Sequence, residues 1–213
     1  MRSFILATLA ALTLMAPAAH AETITAADDQ ATAQKILIGA PAPEFTAMDT
    51  NGKAVTLSAL KGKIVVLEWT NHECPFVKKH YDSGNMQAVQ KDAASKGVVW
   101  ISIVSSAKDK QGHVTPEAAN KITTANGATL THKVLDESGA IGKLYGAKTT
   151  PNMFVIDATG NLAYSGAIDS DASFKPDAIK NATNYVTAAI DELAAGKPVT
   201  TAQTDPYGCS VKY

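Results

Sequence analysis

A mixed α/β sandwich is the fold class that the sequence predicts. Three observations carry it. Apolar, β-branched runs of buried-strand length, Lys63 to Trp69 and Val98 to Val104, alternate with helical segments. A hairpin pattern around Asn51-Gly52 precedes them. Two strands joined at Asp157-Ala158-Thr159-Gly160, then an amphipathic helix, close the compact region.

Taken in order, Gly39-Ala40-Pro41-Ala42-Pro43 punctuates the start of the domain, and residues 22–38 read as a polar, alanine-rich lead-in. Glu44 to Met48 and Ala54 to Leu57 flank the Asp49–Lys53 turn. After the first buried strand, Pro75 to Lys96 reads as a helix broken near Ser83-Gly84-Asn85 and stopped at Gly97. Thr115-Pro116-Glu117 opens a helix that runs to about Ala125, since a threonine cap followed by proline suits a helix start. Lys133 to Leu135 is a short strand, and Ser138 to Tyr145 a helix ending at Gly146. Asn152 to Ile156 and Asn161 to Ser165 are the strand pair. Pro176 to Ala195 is the last helix, with Ile179, Tyr185, Val186, Ile190 and Leu193 on its buried face. Residues 196–213 read as an irregular tail, and the chain shows no internal repeat.

The N-terminus predicts export. Arg2, the apolar stretch Phe4 to Met15 and Ala19-His20-Ala21 form a signal-peptide pattern with cleavage after Ala21, which leaves Glu22 to Tyr213 in a periplasmic compartment. That stretch falls short of the roughly 20 apolar residues of a membrane span. Arg2 is the one arginine among 19 basic residues, so 18 lysines face 20 acids after cleavage. A near-neutral chain without arginine lacks the basic footprint of a nucleic-acid binder. About 190 residues suffice for one domain with a full core.

Only two cysteines occur. Cys74 ends the run from Ile64 through Trp69-Thr70-Asn71-His72-Glu73, where a strand gives way to a turn, and Pro75 opens a helix. Pro75 suits the first helical position, which makes Cys74 the N-cap and sets its sulfur near unpaired N–H groups that favour a thiolate. Cys209 has no motif of its own. It is either a structural clip closing a loop of about 135 residues, worth about 4–5 kcal/mol in the chain-entropy model, or the cysteine that resolves an oxidised Cys74.

Three segments resemble thioredoxin-fold redoxins of the AhpC/TSA (peroxiredoxin-like) family. They are Gly39–Phe45 through Leu57–Lys63, Val65 to Pro75, and Tyr145-Gly146-Ala147-Lys148-Thr149-Thr150-Pro151 through Asp157. The resemblance covers roughly residues 39–195. It implies a thioredoxin-like three-layer sandwich, a cis-proline at Pro151 facing Cys74, and a Thr150 backbone that bonds an extended substrate. Pro75, Thr150 and Pro151 are then substrate-binding residues, with Cys74 and Cys209 catalytic. No cofactor and no metal are implied, and the partner is a thiol/disulfide protein or a peroxide.

Departures from the family narrow the chemistry. Val77 stands where a thioredoxin has its second cysteine. Leu67 and Asn71 stand where peroxiredoxins carry proline and threonine or serine, and the activating arginine is absent. Lysine replaces a fixed guanidinium fork poorly. The leading expectation is therefore a redoxin performing disulfide exchange or slow peroxide reduction. The alternatives are a binding module with a permanent Cys74–Cys209 disulfide, and a copper or other metal site using His72, Cys74 and His80 with His113 or His132. His72 and His80 either lower the thiol pKa or are ordinary exposed histidines. Glu73 would raise that pKa, and Lys78 and Lys79 would offset it or be solvated. Trp69 is expected in the core, and Asn71 is a candidate for orienting substrate.

Overall fold

The computed structural model describes residues 36–213. The signal-peptide segment 1–21 and the lead-in to residue 35 lie outside the described residues.

A five-stranded sheet forms the middle layer. Its strands are β3 (Val65–Trp69), β4 (Val99–Val104), β5 (His132–Leu135), β7 (Asn152–Ile156) and β8 (Leu162–Gly166), in the order β5-β4-β3-β7-β8. β4 lies parallel to β3 and β5, and β7 runs antiparallel to β3 and β8. The three central strands are buried along their whole length, which is why they read as continuous apolar runs. Strands β1 (Thr46–Met48) and β2 (Ala54–Thr56) form the expected hairpin, and β6 (Thr149–Thr150) pairs with β9 (Cys209–Ser210) in a separate two-stranded sheet. This is the thioredoxin-like arrangement that the resemblance implies.

Helices α1 (Pro75–Asp82), α2 (Asn85–Ser95) and α5 (Tyr185–Ala194) cover one face, burying Val77, Met86, Val89, Val186 and Ile190 against Val66, Trp100, Met153 and Val155. The hairpin and α4 (Ala140–Leu144) cover the other face over Val65, Leu67, Trp69, Ile101 and Phe154. Gly84 adopts φ +76° between α1 and α2, a left-handed turn that breaks the helix where the sequence predicted it. Helix α3 (Pro116–Ala125) starts at Thr115, whose hydroxyl accepts the Ala118 N–H at 3.3 Å. The hairpin turn is held by Asp49 Oδ1, which accepts the Asn51 and Lys53 N–H groups, each at 2.9 Å. Its Oδ2 meets His132 Nδ1 at 2.8 Å and ties the hairpin to β5.

Two predicted elements differ. The single helix over 176–195 is a 3-10 turn, Pro176–Asn181, followed by a break and then α5. Ser170 N–H donates to the Thr183 carbonyl and the Thr183 N–H donates to Ser170 Oγ, so a tertiary pairing takes the backbone out of helical register. Asn184 then caps α5 by accepting the Thr187 N–H at 2.9 Å. Ile179 consequently lies off the buried face. The tail, expected to be irregular, supplies β9 and docks on the domain.

Glu68 on β3 is fully buried and accepts from Trp100 Nε1 at 2.8 Å, Tyr81 Oη at 3.1 Å and Gln90 Nε2 at 3.3 Å. Burial pushes its carboxyl above the ordinary glutamate range despite those donors.

Candidate functional site

Cys74 stands where β3 hands over to α1. Asn71 shapes the connecting turn. Its Oδ1 accepts the Glu73 N–H at 2.9 Å, its Nδ2 donates to the Gln111 carbonyl at 3.2 Å, and its own carbonyl accepts the Cys74 N–H at 3.0 Å. Asn71 is 1 % exposed, and its side chain is committed to the turn and to Gln111. Cys74 takes an extended N-cap conformation with Pro75 first in the helix, as its order in the chain predicts. Its sulfur makes no cap hydrogen bond, however. It is joined to Cys209 in a disulfide with Cα atoms 6.0 Å apart.

The Thr150–Pro151 peptide is cis, and this loop faces the disulfide. Cys74 Sγ lies 3.1 Å from the Thr150 carbonyl oxygen. A disulfide sulfur carries no hydrogen, so that contact becomes a hydrogen bond only when Cys74 is a thiol. Cys74 is fully buried and Cys209 half-buried. The covering layer is the tail. β9 pairs antiparallel with β6, setting Cys209 opposite Thr150, and Val211 N–H donates to the Lys148 carbonyl at 3.1 Å. The Ala107 N–H donates to the Lys212 carbonyl at 2.8 Å, and Tyr213 Oη donates to the Ala147 carbonyl at 2.8 Å. At the upstream end, Thr204 Oγ1 accepts the Ala167 N–H at 2.9 Å.

Tyr207 anchors the tail through its hydroxyl. Its Oη donates to Asp169 Oδ1 and lies 3.1 Å from His80 Nε2 and 3.5 Å from Lys79 Nζ. Asn85 Nδ2 donates to His80 Nδ1 at 2.8 Å, so His80 donates from Nε2 and is neutral. Burial and the neighbouring Lys79 charge push its pKa down to about 3. Lys79 is 2 % exposed, donating to the Asp171 carbonyl at 2.6 Å, with carboxylate oxygens of Asp169 and Asp171 each 3.8 Å away. Burial and the Asp169 carboxylate raise the Tyr207 phenol well above its ordinary value.

These contacts correct the sequence reading. His80 and Lys79 are neither exposed nor aimed at the thiol; both turn inward to the tail. Burial lowers the pKa of half-buried His72, partly opposed by the Glu73 charge, and neither histidine bonds Cys74 among the described residues. Glu73 accepts the Gly112 N–H at 2.8 Å and is held by that loop. Trp69 lies in the core and donates to Ser105 Oγ at 3.0 Å, as expected. Among the described residues, no three of His, Cys, Asp or Glu gather into a metal-binding group. Tyr207 and Asp169 went unnoticed in the sequence because nothing local distinguishes them; only the fold brings them to His80.

Residues 38–165 match the AhpC/TSA family. The chain belongs to that family. The AhpC/TSA match covers more than half of the sequence and spans the strand, turn and helix around Cys74 as well as the cis-proline loop. Among solved structures, the chain is similar to an uncharacterised conserved protein from Geobacillus kaustophilus, at 26% identity and TM-score 0.70, over 84% of this chain and 94% of that one. It is likewise similar to a hypothetical protein from Sinorhizobium meliloti, at 25% identity and TM-score 0.69, over 84% and 95%. A candidate thiol:disulfide interchange protein DsbE from Chlorobium tepidum is similar at 25% identity and TM-score 0.50, over 61% and 84%. No curated protein matches the chain.

Proposed function

We propose that this redoxin is an exported thiol-disulfide oxidoreductase in which Cys74 is the nucleophile and Cys209 the resolving cysteine. The observation that carries the reading is the disulfide itself, which joins the N-cap cysteine of α1 to a tail cysteine beside the cis-proline loop. The interchange-protein likeness of the Chlorobium tepidum structure supports it. The signal-peptide pattern supports export to the periplasm, and no described helix is long and apolar enough to cross a membrane.

Access sets the direction of attack. Cys74 is shielded and Cys209 is half-buried, so a partner thiolate attacks Cys209 Sγ in line with the S–S bond. The bond breaks, Cys74 leaves as a thiolate, and Cys209 carries the mixed disulfide. The partner's second thiolate then attacks its own sulfur in that bond and frees Cys209. Two electrons have passed from a dithiol to the chain. The free N–H groups at the start of α1 favour the Cys74 thiolate as leaving group. In the other direction, the Cys74 thiolate of the reduced chain attacks a partner disulfide and forms a mixed disulfide, and the Cys209 thiolate then attacks Cys74 Sγ, so the partner leaves as a dithiol and the Cys74–Cys209 disulfide re-forms. Pro75, Thr150 and Pro151 frame the approach. Fast peroxide reduction is the weaker branch, because Leu67 is buried in the core, Asn71 is committed to the turn, and no arginine lies among the described residues.

The full burial of Cys74 favours a second reading, a permanent clip that holds the tail while the domain binds without chemistry. Equilibration against dithiothreitol or glutathione buffers separates the two. A potential of about −120 to −270 mV supports exchange; a disulfide that stays oxidised below about −300 mV supports the clip and refutes the enzyme.

A further inference from the structure

We propose that the groove beside Cys74 receives an extended, cysteine-bearing segment of a partner protein with the local sequence Tyr-Gly-Cys, and that the tail occupies this groove in cis as its resident stand-in. The inference rests on the reading of Cys74 as a nucleophile and extends it to the partner's recognition.

The tail gives the register. β6 has β9 as its one strand partner among the described residues, so a departing tail exposes a main-chain edge able to pair with another extended segment. Main-chain pairing alone is indifferent to sequence. Selection comes from three positions. The residue opposite Thr150 must be cysteine, since this register sets the two Cα atoms 6.0 Å apart, within disulfide reach.

The residue before it must be glycine. Gly208 has φ +136°, and a Cβ there would sit 2.1 Å from the Thr150 carbonyl oxygen, a backbone atom unable to rotate away.

Two residues before the cysteine lies a built subsite. Lys79, His80 and Asp169 are 2 %, 0 % and 2 % exposed, and all three converge on the Tyr207 hydroxyl. The ring packs 6.0 Å from Phe76, with Lys79 Nζ 5.3 Å from its centroid. Asp169 Oδ2 is buried without a hydrogen bond and lies 3.8 Å from Lys79 Nζ, which keeps an opposite charge beside the carboxylate that receives the Tyr207 hydroxyl. An alanine in this position would leave the His80 Nε2 donor without its acceptor, remove the Tyr207 bond to Asp169 and empty the space beside Phe76, and a phenylalanine would fill the space but leave both polar partners unmet.

The test keeps the protein constant and varies the ligand. Full-length Cys209→Ser is mixed with the peptide Asp-Pro-Tyr-Gly-Cys-Ser-Val-Lys carrying a thiopyridyl disulfide on its cysteine. Cys74 thiolate attacks the peptide sulfur and expels pyridine-2-thione, which is read by absorbance. Peptides with alanine for tyrosine or valine for glycine should each react at least about tenfold more slowly. The resident tail slows all three by one common factor. Dipyridyl disulfide reports the intrinsic reactivity of Cys74. Equal rates for the three peptides, with dipyridyl disulfide still reacting, would overturn the recognition inference alone. A Cys74 inert to dipyridyl disulfide would overturn the oxidoreductase reading, and this inference with it.

Discussion

Replacing Tyr207 with phenylalanine tests whether the tail leaves the domain when the disulfide opens. The substitution keeps the ring against Phe76 and deletes one oxygen. Lys79 retains the Asp171 carbonyl at 2.6 Å, His80 retains Asn85 at 2.8 Å, and Asp169 Oδ1 retains the Asp171 N–H at 3.1 Å. What disappears is the charge-assisted bond from Tyr207 to Asp169 and the acceptor for His80 Nε2. Hydrogen bonds to charged groups contribute about 1.5–3 kcal/mol, and a stranded buried donor costs about 1–3 kcal/mol. Because these terms share one hydroxyl they do not sum fully, and a net loss of about 2–4 kcal/mol is expected. If the bonds exist only while the tail is docked, they stabilise the disulfide over the dithiol. At about 30 mV per 1.4 kcal/mol, Tyr207→Phe then shifts the potential by about 40–90 mV toward easier reduction. The assay is equilibration in glutathione buffers, with free thiols counted by alkylation and mass spectrometry. A potential unchanged within about 10 mV, in a variant whose oxidised form is measurably less stable, would show that the tail stays docked after reduction. Tail release would then be wrong.

Three further outcomes follow from the geometry. Gly208→Ala forces a Cβ onto the Thr150 carbonyl, so it should loosen the β6–β9 pairing, speed reduction of the disulfide by dithiothreitol and raise hydrogen exchange at Thr150. Glu68→Gln should flatten the stability–pH profile. Burial raises the folded-state pKa, so the wild-type fold binds more protons than the unfolded chain above about pH 4.3 and loses stability as pH rises from there through the raised pKa. Urea unfolding should show the variant gaining on wild type between pH 4.5 and pH 8; parallel curves would contradict a raised pKa. Asp49→Asn should cost about 2–3 kcal/mol at neutral pH by leaving His132 without its carboxylate. Burial acts to raise the Asp49 pKa, but the His132 bond and the turn N–H groups outweigh it and hold the carboxyl below its ordinary range. That contribution is present above about pH 3.9 and is lost as pH falls through the lowered folded value. The gap between variant and wild type in urea melts should therefore close in strong acid.

How much of this was legible in the sequence depends on the range of the interaction. The hairpin around Asn51-Gly52, the buried runs of β3 and β4, the Cys74–Pro75 helix start and the break at Gly84 all depend on residues within a few positions of one another, and they stand where the sequence placed them. The helix over 176–195 was misread for the opposite reason. Its first half is helix-compatible locally, but the pairing of Thr183 with Ser170 draws the backbone away. Lys79 and His80 read as either tuning the thiol or being solvated, because charge and imidazole are costly to bury, and only Asp169, Asn85 and Tyr207 together offset that cost.

Cys209 had two readings in the sequence, clip or resolving cysteine, because a thiol without a local motif owes its role entirely to what lies across from it. The sequence by itself determined the family, the strand–turn–helix that makes Cys74 an N-cap, and the loss of the second thioredoxin cysteine to Val77. Tertiary structure alone decided that the tail is a strand, that Thr150 is the residue opposite Cys209, and that a tyrosine two positions earlier is locked among buried charges. Capping and turn formation are local free energies carried by adjacent residues. Docking the tail requires the main-chain edge of β6 and the charges of α1 to come together first, and no stretch of sequence contains that encounter.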